Sequence, residues 1–196
     1  MARVDLWLDD DDVAAAQTAG QFTFQVPDDC TSRRGNLEDP NDDKAKASWT
    51  QKLEVIESKF YEDEAKDKDG HTYPAICAEV QFQVPSDAVR KGLPDPNAGK
   101  SHRAWYRVVP AAMKNKQHSK YKANNFNLGR MNSILRGIWG TAVFPHGTKV
   151  NLGEFYGGDS PPVVGKTVIA NVRASKYEGE RKDELTDFIP LELRED

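Results

Sequence analysis

Between Tyr73 and Val84 the sequence runs YPAICAEVQFQV, and its apolar residues fall on every second position. Ile76, Ala78, Val80, Phe82 and Val84 share one side, while Cys77, Glu79, Gln81 and Gln83 share the other. Side chains alternate across a strand and not around a helix, so this run forms a half-buried β-strand. A strand wet on one face needs partners on both edges and a core on its dry face. The rest of the chain supplies both. WTQKLEVIESKFYE, from Trp49, is a second β-rich run, with Leu53 and Val55 on one face and Ile56 changing faces. Between these two runs lies DEAKDKDGHT, a charged hairpin tip with Asp69-Gly70, a pair suited to tight turns.

Further along, SHRAWYRVV reads as a third strand. NNFNLGRMNSILRGIWG places Leu128, Met131, Ile134, Leu135 and Ile138 at spacings of three and four, which predicts an amphipathic helix closed by Gly140. GKTVIANVRASKY is a fourth strand with Val168, Ala170, Val172 and Ala174 inward, EGERKDE its hairpin tip, and LTDFIPLEL a fifth strand. The order predicted is three strands, a helix, two strands. That is the order of the five-stranded OB-like barrel, a mainly β fold with one α-helix between strands 3 and 4.

The first 47 residues differ in kind. They are polar, acidic and interrupted by Pro and Gly, and they read as a largely disordered, mostly flexible acidic N-terminal arm preceding a domain over 48–196. Within the arm, Phe22, Phe24 and Val26 alternate, so residues 21–26 are a candidate short strand that docks on the body. Hydrophobic residues make up 38% of the chain. This is below the usual share of about 45–50%, as expected when part of the chain lies outside the core.

Charge is segregated along the chain. Residues 1–43 hold 3 basic and 11 acidic groups, whereas residues 96–150 hold 10 basic and none acidic. The whole chain is at −4. An acid-free third inside an acidic protein suits a polyanionic partner. In the third strand, Ala104, Tyr106 and Val108 form the apolar side, and Arg103, Trp105 and Arg107 the other. A cation–indole–cation face offers a stacking surface for a base and two groups for phosphate. The competing structural role is a Trp packed under a loop, its ring covered by the arginine stems. The connection that follows carries Lys114, Lys116, Lys120 and Lys122 with Tyr121 interleaved, a pattern suited to following a single-stranded backbone. Lys59 and Tyr61 on the first strand and Arg173, Lys176 and Tyr177 on the fourth are candidates for the remainder of the groove.

Other chemistries find no support. In GGDSPPVVGKT the position five before Gly165 is Ser160, where a phosphate-binding loop needs Gly, and a strand pattern follows where a helix should begin. The four histidines are scattered, and Cys30 and Cys77 form no paired motif, so no metal site, no cofactor and no enzymatic activity are expected. MARVDLWLDDDD lacks the basic and then apolar pattern of a signal peptide, and no apolar run reaches bilayer length. The expected location is the cytoplasm, that of a host cell if the protein is phage-encoded, with no membrane partner.

Three stretches carry a resemblance. KLEVIESKF…YPAICAEVQFQV, NFNLGRMNSILRGIWG and VVGKTVIANVRASKYEGERKDELTDFIPLE follow one another in the order of small bacteriophage single-stranded-DNA-binding proteins with an OB-fold. The resemblance spans Trp49 to Glu192. It implies a non-catalytic, sequence-independent protein that coats single-stranded DNA during phage replication or recombination. Replication or recombination proteins would be further partners, engaged through the acidic arm. The arm itself and the segments 85–99 and 141–162 depart from that pattern. The alternative expectation is a phage structural or host-interaction protein whose basic face meets an acidic protein.

Overall fold

A computed structural model of the chain describes residues 48–113, 115–145, 150–177 and 180–194, with side chains left undescribed at 174–177 and 180–183. The expected acidic arm, its candidate strand at 21–26, and Lys114 lie outside the described residues.

The body is a five-stranded antiparallel sheet in the order β5-β2-β1-β6-β7. Its strands are β1 (Ser48–Lys66), β2 (Thr72–Gln83), β5 (Ser101–Val108), β6 (Thr167–Tyr177) and β7 (Glu180–Phe188). Two dipeptide strands, β3 (Val89–Arg90) and β4 (Leu93–Pro94), make a separate small ribbon. β1 is the hinge of the design. At 19 residues it is long enough for its first part to pair with β6 (Ser48–Glu54 against Arg173–Thr167) and its remainder to pair with β2. Between the two, the register slips at Ile56, where the β2 pairing passes from Val55–Phe82 to Glu57–Gln81. This bulge is the physical form of the face change at Ile56. It inserts one unpaired residue and raises the local twist.

The apolar alternation fixes the dry face. Leu53 and Val55 of β1, Ala78, Val80 and Phe82 of β2, Ala104, Tyr106 and Val108 of β5, and Val168, Ala170 and Val172 of β6 are all buried in one cluster. Helix α1 (Tyr121–Trp139) covers this face with Leu128, Met131, Ile134, Leu135 and Ile138. Gly140 ends it at φ +89°, a backbone conformation that L side chains rarely adopt, and its N–H reaches the Arg136 carbonyl at 2.8 Å. The guanidinium of Arg194 ties the far end of the helix to the sheet by donating to the carbonyls of Gly137 and Thr167.

The expected closed barrel is not formed. Taken as a linear order of its long strands, the sheet runs third, second, first, fourth, fifth, but β5 and β7 are both edges and do not pair with each other. At the Val108 end of β5 the edge is met by α1. Asn124 accepts from the Val109 N–H at 2.9 Å and donates to the Val109 carbonyl at 2.6 Å, and Asn127 donates to the Arg107 carbonyl at 2.6 Å. Side chains of the helix thus occupy outward-facing backbone groups at the last residues of β5 and just beyond it. Arg130 of the helix is wholly buried beside β7, its guanidinium 5.8 Å from the Phe188 ring and 6.0 Å from that of Phe126.

Smaller departures have local causes. The fifth strand begins at Glu180 rather than Leu185, because the charged stretch assigned to a turn is paired with β6, and Leu191–Leu193 is a 3-10 turn. The segment 85–99 is not a loose insertion. Gln51, buried on β1, donates to Asp95 at 2.9 Å and accepts from Asn97 at 3.2 Å, which pins the ribbon of β3 and β4 to the body. The long loop at 141–162 contains a short helix, α2 (Leu152–Tyr156), whose start is capped by the Asn151 side chain accepting from Glu154 N–H. No described helix is long and apolar enough to cross a membrane.

Candidate nucleic-acid interface

β5 alternates without interruption: Ser101, Arg103, Trp105 and Arg107 are exposed, and His102, Ala104, Tyr106 and Val108 are buried. The wet face of the sheet therefore carries Arg103, Trp105 and Arg107 in a row about 7 Å apart, two residues of strand per step. Trp105 is 47% exposed, against 7% for Trp49 in the core. The register continues the row onto the neighbouring strands. Trp105 lies opposite Glu79, and Glu79 lies opposite Lys59. Arg103 lies opposite Gln81, and Gln81 opposite Glu57. Arg107 lies opposite Cys77, and Cys77 opposite Tyr61. Five of the expected site residues, Lys59, Tyr61, Arg103, Trp105 and Arg107, are thus gathered on one face of three strands.

That face is charge-balanced rather than basic. Arg103 donates to Gln81 Oε1 at 2.7 Å and pairs with Glu79 at 3.0 Å, with Glu57 at 3.7 Å. Arg107 meets the Asp63 carboxylate through Nε at 2.7 Å and Nη2 at 2.6 Å. Lys59 pairs with Glu57 at 2.7 Å, and the Tyr61 hydroxyl donates to Glu79 at 3.4 Å. The carboxylates respond. Hydrogen bonding from Lys59 draws the Glu57 carboxyl below its ordinary range. At Asp63 burial pushes upward but is outweighed by the Glu64 N–H and Arg107, so its carboxyl is also lowered. Burial and contact with Cys77 raise the Tyr61 hydroxyl, and burial raises the Cys77 thiol, a free cysteine beneath it. Both groups stay protonated near neutrality. These pairs hold the arginine edges in place. A guanidinium held by its edge keeps a planar face for stacking, while its capacity for phosphate is shared with the carboxylate already bound.

The basic connection is partly ordered by the β1–β2 hairpin. The His118 ring sits edge-on to Tyr73 at 4.7 Å, and the Lys120 ammonium donates to the Lys66 carbonyl. Lys116 and Lys122 are exposed. Tyr121 and Lys122 belong to the first turn of α1 and not to a connection. The candidates on the fourth strand are elsewhere. Arg173 is exposed but faces Ser48 across the register, 11 residues of β1 from Lys59. That is about 35 Å along the strand. Lys176 and Tyr177 lie further along β6 in the same direction, past the start of β1, and their side chains are not described.

The sequence pattern did not single out Glu57, Asp63, Glu79 and Gln81 as members of the site. Glu79 and Gln81 were visible on the wet side of the alternation, but their meeting with arginines is a matter of cross-strand register. One group among the described residues has metal-ligand types together, namely Asp67, Asp69 and His71 at the hairpin tip. The Asp67 carboxylate there already accepts from the Asp69 and His71 N–H groups and the Tyr73 hydroxyl. It shapes the turn, and no metal is assigned.

No protein-family model matches the sequence, and no curated protein matches it significantly.

Proposed function

We propose that the protein binds single-stranded DNA without sequence preference, on the wet face of an OB-like sheet that remains open between β5 and β7, and that it performs no chemistry on it. The observation that carries this reading is Trp105: a large aromatic ring, half exposed, centred on a strand between two guanidiniums, with Tyr61 and Lys59 two strands away on the same face. A protein core gains nothing from such a ring in water, whereas an unpaired base gains a stacking partner worth about 1–3 kcal/mol. Duplex DNA keeps its bases stacked on one another, so the platform favours single strands. Because Arg103 and Arg107 already hold carboxylates, the phosphate contacts fall chiefly to the lysines at the end of the hairpin, Lys116, Lys120 and Lys122, and to Lys114 before them. A setting in phage replication or recombination rests on the three-stretch resemblance.

Anisotropy titrations with a labelled mixed-sequence oligonucleotide as single strand, duplex and RNA test the reading. The single strand binds most tightly, and sequence changes leave its affinity alike. No binding of the single strand at low salt refutes the proposal. Binding confined to an acidic protein partner supports the structural or host-interaction alternative.

A charge experiment separates the two parts of the surface. Replacement of Lys114, Lys116, Lys120 and Lys122 by Gln lowers affinity equally for all sequences and flattens the plot of log K against log salt by up to about 0.7 per lost phosphate contact. An unchanged slope places the strand's path away from this segment, as on the side of Arg173.

A further inference from the structure

Part of the β5 edge is open, and its phase can be fixed from two directions. Val55 exchanges backbone bonds with Gly165 and Lys166, so it faces away from β2, and its partner Phe82 must face β5. Residues His102, Ala104, Tyr106 and Val108 then make the bonds to β2. From the opposite side, the Arg107 carbonyl and both backbone groups of Val109 are bound by Asn127 and Asn124. Odd-numbered residues therefore point outward. Arg107 and Val109 are covered by α1. Ser101, Arg103 and Trp105 turn their N–H and C=O groups the same way, beyond that cover, with no backbone partner among the described residues. An uncovered row of this kind is a template for another strand.

We propose that the segment Gln21–Val26 of the same chain adds to this edge as a further strand. QFTFQV alternates Phe22, Phe24 and Val26 with Gln21, Thr23 and Gln25, and it holds no charge and no proline that would interrupt a ladder. One face of the added strand is apolar and the other polar, which matches the division of the sheet that it would extend. The tether is long enough. Residues 27–47 join the segment to Ser48, and 21 residues of chain have a root-mean-square span of about 25 Å. Ser48 lies six residues beyond Glu54, which is level with Ser101 across β2. That separation is about 20 Å along the strands and about 10 Å across them. Tethering raises the effective concentration of a segment whose own affinity is modest. The inference stands whether or not the platform binds DNA. If it does, the added strand lies beside Trp105 and borders the binding face.

Amide hydrogen exchange tests this directly, comparing the full chain, the full chain with Thr23→Pro, and a chain lacking residues 1–43. In the full chain the Arg103 and Trp105 amides exchange about 100-fold more slowly than in the other two, because local protection follows the hydrogen bond made. The Tyr106 amide, which faces β2, is slow in all three and reports that the sheet is intact. Should the truncated chain lose Tyr106 protection, the Thr23→Pro comparison decides alone. Equal rates for Arg103 and Trp105 in the full chain and the Thr23→Pro chain overturn the proposal. So does protection that grows with protein concentration, which would put a second copy on the edge.

Discussion

Trp105→Ala weakens binding of a single-stranded oligonucleotide about 5- to 150-fold, the equivalent of one lost stacking contact of about 1–3 kcal/mol. Stability changes little, because the ring is 47% exposed and takes no part in the buried cluster. The neighbouring substitutions are informative controls. Glu79→Gln removes the carboxylate beside the ring and frees part of the Arg103 guanidinium, which is held there at 3.0 Å. Affinity then moves opposite to that of Trp105→Ala, since a released guanidinium is available to phosphate. Equilibrium titration with chemical denaturation of the same proteins checks both quantities. Unchanged binding by a folded Trp105→Ala protein rejects the stacking platform, and a large loss of stability with intact binding makes Trp105 a packing residue.

The second large effect concerns acid. His102 lies on the dry side of β5, in line with Ala104 and Tyr106. It is 2% exposed, neither ring nitrogen has a hydrogen-bond partner among the described residues, and its nearest aromatic neighbour is Phe82. Burial disfavours the imidazolium and lowers the pKa from 6.5 to about 4. Above pH 6.5 the group is neutral in both the folded and the unfolded chain and contributes no pH dependence. Between 6.5 and 4 the unfolded chain takes up a proton that the folded chain refuses, so stability falls as pH falls. The loss amounts to about 3 kcal/mol across the window and levels off below it. The lowered carboxyls of Glu57 and Asp63 add their losses only as they protonate, at more acidic pH. Denaturant unfolding at pH 7, 5.5 and 4.5 measures this, and His102→Phe flattens the dependence. A flat profile for the unaltered protein places a partner or water on the ring.

Alternation made the sheet legible. The dry residues of β2, β5 and β6 follow from period two alone, and the 3.6-residue period of Leu128 to Ile138 marks the helix that covers them. Closure was not legible. The bonds of Asn124 and Asn127 to the backbone of Val109 and Arg107 are made from inside a helix that starts at Tyr121, and they need that helix placed in space. The site divides in the same manner. A single strand displays Arg103, Trp105 and Arg107 in its own sequence. The carboxylates that balance them come from β1 and β2, and nothing in one strand says which residue of the next it will oppose. For Arg173 the strand assignment was sound, but the length of β1 separates it from Trp105.

The bulge at Ile56 bears on how a gene for this fold can change in length. Upstream of it, even-numbered residues of β1 face water. Just downstream the phase is reversed: Ser58 is buried and Lys59 is exposed. Loss of one codon between Trp49 and Val55 would therefore exchange inside for outside over the residues between the deletion and the start of the strand. Loss of the Ile56 codon alone would instead join Val55–Phe82 directly to Glu57–Gln81 and leave both phases intact. Single-residue length changes among homologous lineages are expected to concentrate at that position rather than between Trp49 and Val55.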